Sequence, residues 1–196
     1  MGIARRFSII AIALASVSGC VWPPAPDGQP LVPAPSPAPL PDVALYGDSL
    51  TVPAEAEITT GADGIAALTI HAYPGTDLSS WDSDIRALSP SRLVLALGTN
   101  DANHGEIAPW RDLLTFLPSS TCVVWPRTFE SSDRVTAFVE SMDELVADFP
   151  NVHVVEWGAQ VEAHREWLLP DGIHYRPDGT SAYASMLVEA IQTCLT

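Results

Sequence analysis

Lysine is absent from this chain. All nine basic residues are arginine, set against 24 aspartates and glutamates, for a formal net charge of −15. That absence removes whole chemistries. A Walker A phosphate loop requires its lysine, and pyridoxal-phosphate enzymes, Schiff-base aldolases and protein kinases each need one. An acidic chain with no basic stripe is repelled by phosphate, so nucleic acid is not an expected partner. Long apolar runs are also missing. The uncharged, largely apolar stretch near the start, Phe7 to Gly19, has 13 residues, short of the ~20 needed to span a bilayer. Apolar residues still make up 47% of the chain, which excludes wholesale disorder and supports a real core. A length of 196 residues suits one domain plus a tail.

The beginning of the chain reads as an address. Arg5 and Arg6 precede the apolar stretch, which ends in Val17-Ser18-Gly19-Cys20. Small residues before a cut are what a signal peptidase demands. The segment resembles a bacterial lipobox, which implies residues 1–19 as a signal peptide and Cys20 as an acylated first residue of the mature protein. An ordinary secretion signal with an incidental cysteine is the alternative. Loss of Arg5 and Arg6 would leave seven arginines against 24 acidic residues, a charge of −17. The expected location is then outside the cell, lipid-anchored to the outer face of the cytoplasmic membrane, at the cell surface or in the periplasm. Residues 20–42 form a linker, with nine of the 18 prolines falling between Val21 and Asp42. Proline lacks the backbone donor and fixes φ, so this stretch is expected to stay out of any sheet as extended polyproline II. At ~3.1 Å per residue it would reach about 60 Å.

A single α/β domain is expected over 43–196. Five apolar runs read as strands: Val43–Gly47, Leu68–Tyr73, Leu93–Leu97, Cys122–Pro126 and Val152–Trp157. Between them, Ile107, Trp110, Leu113, Leu114 and Leu117 recur at helical spacing. So do Val135, Phe138, Val139, Met142, Leu145, Val146 and Phe149, and finally Ala182, Tyr183, Met186, Leu187, Ala190, Ile191 and Cys194. Strands alternating with helices predict a parallel five-stranded sheet covered on both faces. Ligands in such sheets sit beyond the carboxyl ends of the strands. The residues there are Gly47-Asp48-Ser49-Leu50, Pro74-Gly75-Thr76 and Gly98-Thr99-Asn100-Asp101, with Asp171-Gly172-Ile173-His174 in a late loop.

Those residues are the parts needed for acyl transfer. A serine hydroxyl is a poor nucleophile until a base removes its proton. His174 is the candidate base for Ser49, and Asp171 would hold the imidazole tautomer. A tetrahedral oxyanion needs preorganised donors, and the N–H groups of Ser49 and Gly75 with the amide of Asn100 would supply three.

In order and rough spacing, these four blocks resemble those of the SGNH hydrolases, also called GDSL esterases, over nearly all of 43–196. The resemblance implies a flavodoxin-like three-layer α/β/α sandwich and a serine esterase without metal or cofactor. It assigns Ser49, Asp171 and His174 to the triad, and Ser49, Gly75 and Asn100 to the oxyanion hole. After Asn100 the chain runs Asp101-Ala102-Asn103-His104, where the family often continues differently, and no role follows for His104. No Gly-x-Ser-x-Gly elbow occurs, which disfavours the α/β-hydrolase fold.

Other residues have plainer readings. Asp48 and Asp101 brace their loops. His71 and His153 are packed or surface residues, and His164 belongs to a solvated face beside Arg165 and Glu166. No His, Cys or carboxylate cluster has metal-ligand spacing, and Asp82-Ser83-Asp84 lacks the glycine and final glutamate of a calcium loop. Among Trp81, Trp110, Trp125, Trp157 and Trp167, one or two near strand ends are candidate sugar platforms. Cys122 and Cys194 are a candidate disulfide in an exported domain, with two free thiols as the alternative.

The expected function is hydrolysis of small acyl or O-acetyl esters, on a small ester or an acylated extracellular or cell-envelope carbohydrate, by a monomer. An O-acyltransferase with the same triad and a non-catalytic glycan-binding lipoprotein are the alternatives.

Overall fold

The computed structural model describes residues 38–105, 107–129 and 132–195. The leader, Cys20 and the proline-rich segment up to residue 37 lie outside them. Five strands form one sheet: β1 (Asp42–Gly47), β2 (Ala67–Ala72), β3 (Arg92–Ala96), β4 (Cys122–Pro126) and β5 (Val152–Val155). Their order is β2-β1-β3-β4-β5, with every neighbouring pair parallel. Leu45 of β1 stands opposite Ile70 on one side and Val94 on the other.

The helices are α1 (Glu55–Ala62), α2 (Leu78–Leu88), α3 (Ala108–Phe116), α4 (Asp133–Val146), α5 (Trp157–Ala163) and α6 (Pro177–Thr193). Alternating strand residues feed two cores. Val43, Leu45, Val94, Ala96 and Val124 pack with Ile58 of α1, Val161 of α5 and Leu187 and Ile191 of α6. Ala44, Tyr46, Leu93, Leu95, Val123 and Trp125 point the other way, onto Leu78 and Ile85 of α2, Trp110 and Leu113 of α3, and Phe138 and Met142 of α4. The period of two along each strand thus yields three layers, as the flavodoxin-like expectation requires.

Three helices fall outside the sequence expectation. In α1 only Ile58 and Ala62 are buried, too few apolar positions to make a stripe. Helix α2 does carry one, Leu78, Trp81, Ile85 and Leu88 at helical spacing, which the reading of the sequence passed over. Its first turn is fixed by a capping box in which Asp77 accepts from the Ser80 N–H and Ser80 from that of Asp77. Helix α5 corrects the expected strand Val152–Trp157. Extended backbone stops at Val155, and Trp157 opens a helix with its indole N–H donating to the Tyr175 hydroxyl at 2.7 Å.

A second correction concerns Pro41. Its carbonyl accepts the Ala67 N–H at 2.9 Å, and Asp42, the last residue assigned to the linker, opens β1, so the end of the linker does join the β1–β2 ladder. Proline forfeits only its donor; its acceptor stays available. Cys122, at the start of β4, and Cys194, just past α6, are joined as a disulfide with 5.6 Å between Cα atoms. The bond fixes the last helix to the amino-terminal edge of the sheet, where Arg92 also donates to the Cys194 carbonyl.

Candidate active site

The strand order reverses beside β1: the chain leaves β1 for β2 on one side and returns to β3 on the other. Such a switch point opens a crevice at the carboxyl ends of the two strands. Ser49 follows β1, and Asn100 follows β3.

The Ser49 turn folds back tightly. Thr51 and Val52 both donate to the Asp48 carbonyl, and the Asp48 side chain accepts the Leu50 N–H at 2.9 Å. A side chain at position 47 would put its Cβ 2.2 Å from the Thr51 hydroxyl, so only glycine admits this turn.

His174 reaches Ser49 from a different element. Its Nε2 lies 3.0 Å from Ser49 Oγ, and its Nδ1 lies 2.9 Å from Asp171 Oδ2. Asp171 also accepts the N–H groups of Ile173 and His174, at 2.9 and 3.0 Å. Those two bonds, Ile173 first, and the imidazole hold its carboxyl down at about 2. An ionised carboxylate only accepts, so it selects the tautomer with the proton on Nδ1. Nε2 is then left as the acceptor for the Ser49 hydroxyl. The loop carrying Asp171 and His174 is narrow and braced: Leu169 donates to the His174 carbonyl at 2.7 Å, and Leu168 pairs with Tyr175.

The other loops meet through Asn100. Its Nδ2 donates to the Thr76 carbonyl at 2.9 Å and to Asp48 Oδ2 at 3.3 Å. The Thr76 hydroxyl in turn lies 3.1 Å from the Gly47 carbonyl and 2.7 Å from that of Tyr73. Gly75 sits at φ +79°, a conformation that disfavours any side chain. The N–H groups of Ser49 and Gly75 donate to no group among the described residues, which leaves both for a ligand.

Asp48 is buried beneath this assembly, and burial, with the nearby Asp101 charge adding to it, pushes its carboxyl up to about 6. It lines a cavity of about 10 Å³ together with Thr99, Thr128, Tyr175 and Tyr183, room for about one water. Asp101 takes the Leu78 N–H and the Trp110 indole on Oδ1, at 3.0 and 2.9 Å, tying its loop to α2 and α3.

The structure removes most of the tryptophans as platforms. Trp110, Trp125 and Trp157 are fully buried. Trp167 is half-buried and stacks on Trp157 and on His164. Trp81, half-buried against the core, leans on Tyr46 and His71. The exposed aromatic near the site is instead Tyr73, two residues before Gly75 and 67% exposed. Position marks Tyr73, Asp77 and the carbonyl of Thr76, since all flank Gly75; their residue types carry no motif of their own.

No protein-family model and no curated protein matches the chain. Solved structures do. The C-terminal catalytic domain of peptidoglycan O-acetyltransferase A from Streptococcus pneumoniae, with a methylsulfonyl adduct, superposes with a TM-score of 0.66 at 22% identity, covering 80% of this chain and 96% of that one. An acetyl xylan esterase gives 0.62 at 17% identity, covering 76% and 99%. A psychrotrophic esterase from Pseudoalteromonas sp., inhibited by monoethylphosphonate, gives 0.61 at 15%, covering 79% and 98%. These neighbours are SGNH-type hydrolases and acyltransferases, and the chain has their fold.

Proposed function

We propose that this protein is a serine ester hydrolase acting through Ser49, His174 and Asp171. The observation that carries the reading is the unbroken chain from Ser49 Oγ to His174 at 3.0 Å and from His174 to Asp171 at 2.9 Å, placed at the switch point of the sheet. His174 takes the Ser49 proton as Oγ attacks the ester carbonyl. The N–H groups of Ser49 and Gly75 and the amide of Asn100 receive the oxyanion. In the resting site both Nδ2 hydrogens are engaged, by the Thr76 carbonyl at 2.9 Å and by Asp48 Oδ2 at 3.3 Å, so the amide meets the oxyanion by giving up the longer bond to Asp48. His174 then protonates the departing alcohol, and water releases the acyl group by the reverse sequence.

The preferred acyl group is small, such as acetyl, on a small ester or an extracellular or cell-envelope carbohydrate. A net charge of −15 disfavours anionic lipid surfaces as substrate. Transfer to a sugar hydroxyl in place of water is the second reading, favoured by the likeness to an O-acetyltransferase domain. Turnover of p-nitrophenyl acetate by the full chain tests both. Acetate release without an acceptor supports hydrolysis, and acceptor-dependent acetyl sugar supports transfer. A folded protein that turns over nothing is the result expected of a glycan-binding lipoprotein.

The location follows from the leader. Residues 1–19 act as an export signal, and Cys20 carries the lipid that holds the protein at the outer face of the cytoplasmic membrane. The Cys122–Cys194 bond supports export, since disulfides persist in oxidising compartments. Stable anchoring takes two or more acyl chains, so Cys20→Ser should move the protein out of the detergent phase. A processed Cys20→Ser form that still partitions with membranes would overturn the anchor.

A further inference from the structure

Beyond Asn100 and Thr76 lies a groove that the acyl-transfer chemistry leaves unused. It has a volume of about 240 Å³ and is lined by Asp77, Ser79, Asp101, His104 and Pro109. It adjoins the site through the backbone itself. Asn100 and Thr76 are bonded to each other at 2.9 Å, and the next residue of each loop, Asp101 and Asp77, forms the groove wall.

The groove holds acceptors short of donors. Asp101 is 6% exposed; its Oδ1 takes two protein donors, yet its Oδ2 is buried with no partner among the described residues. A carboxylate oxygen left so is costly unless something donates to it. Asp77 repeats the pattern. Its Oδ1 takes the Ser80 N–H and the hydroxyls of Ser79 and Ser80, while Oδ2 faces only His104 Nε2, at 3.6 Å. That distance is beyond a hydrogen bond. The His104 side chain is 67% exposed and has room to turn toward a ligand.

We propose that this groove receives the alcohol portion of the substrate, a neutral, hydroxyl-rich moiety such as a sugar ring, whose hydroxyls donate to Oδ2 of Asp77 and meet the imidazole of His104, over a floor formed by the buried Asp101. The proposal rests on the esterase reading above and names the residues that select its substrate. An acetyl group has no donor to offer, so the polar groove suits the alcohol side. A divalent cation asks for six or more oxygens, whereas here each carboxylate has one oxygen left. A uronic acid would bring a second negative charge against two carboxylates.

The test compares a mono-O-acetylated methyl glucoside with p-nitrophenyl acetate, whose leaving group has no further hydroxyl, using the full chain, Asp77→Asn and His104→Ala. The ratio of kcat/KM for the glucoside ester to that for p-nitrophenyl acetate should fall about tenfold in Asp77→Asn, the usual scale for a hydrogen bond to a charged group, and about threefold or more in His104→Ala. A ratio within about twofold of wild type in both variants overturns the proposal. A second measurement does not depend on turnover. Methyl glucoside added to the wild-type protein should shift the His104 imidazole resonance saturably, and Asp77→Asn should weaken that binding. No shift at any concentration overturns the groove as a sugar site. Failure to turn over p-nitrophenyl acetate, with the shift intact, would overturn the esterase reading alone.

Discussion

Asn100 Nδ2 lies 3.3 Å from Oδ2 of Asp48, a carboxylate that is 1% exposed directly beneath the nucleophile turn. The same carboxylate takes the Leu50 N–H. One buried side chain therefore braces the turn that presents Ser49 and holds, in the resting site, the amide hydrogen that the oxyanion would take over. Burial raises its pKa, so this double role is held at a cost in stability.

That cost has a sign. Folding lifts the Asp48 carboxyl from its ordinary value of 3.8 to about 6. The folded state then binds more protons than the unfolded one across that window, and stability should fall as pH rises through it. The loss is about 3 kcal/mol at about 1.4 kcal/mol per pKa unit. Denaturant titrations at pH 4 and pH 7 should show the fall in the wild type, and Asp48→Asn should flatten it. The same variant turns an amide toward that of Asn100, so its rate should drop about tenfold or more, by the loss of a preorganised donor. A wild-type stability that does not change between those pH values would remove the buried charge.

Nucleophile and oxyanion donor should separate experimentally. Ser49→Ala should abolish covalent labelling by an organophosphonate and reduce turnover ~10⁴-fold or more. Asn100→Ala should still label, more slowly, and lose roughly 10²–10³-fold in rate. Normal labelling of Ser49→Ala, read by mass spectrometry, would place the nucleophile on another serine.

Asp171 should stay ionised throughout the working range, since its carboxyl sits at about 2. Any acid limb in kcat/KM above pH 4 then belongs to other groups. Asp171→Asn should leave the fold intact and cut the rate by orders of magnitude, because an amide permits the tautomer with no acceptor at Nε2. Because its folded pKa is depressed, Asp171 also contributes stability that is present above pH 4 and lost as pH falls toward 2. A pH–rate profile with a fully active Asn variant would take Asp171 out of the mechanism.

The disulfide should matter for stability and not for chemistry. Its 72-residue separation corresponds to about 4 kcal/mol in the loop-entropy account, with less found in practice. The double variant Cys122→Ser, Cys194→Ser should melt several degrees lower. Its kcat should match that of the wild type, because the bond lies at the amino-terminal edge of the sheet, opposite Ser49. A large loss of kcat with a retained fold would show coupling through α6 to His174.

What the sequence determined by itself rested on short separations. Short apolar runs marked all five strands, because a parallel sheet is buried on both faces, and helical apolar spacing marked α3, α4 and α6, because burial of one face writes a period into the chain. Asp171 and His174 are three residues apart, so their pairing is local. The four loops were legible as a site because parallel strands bring their carboxyl ends to one edge. The tertiary structure decided the rest. Ser49 meets His174 across 125 residues, and no periodicity encodes that meeting. Trp167 was lost as a platform only when Trp157 of α5 and His164, just past its end, stacked against it. Asp48 became the partner of Asn100, and Asp101 kept one oxygen unpaired, through packing between loops 52 and 23 residues apart. Side-chain type fixes how many hydrogen bonds a group needs; only the folded surroundings decide which of them are met, and which are left for a ligand.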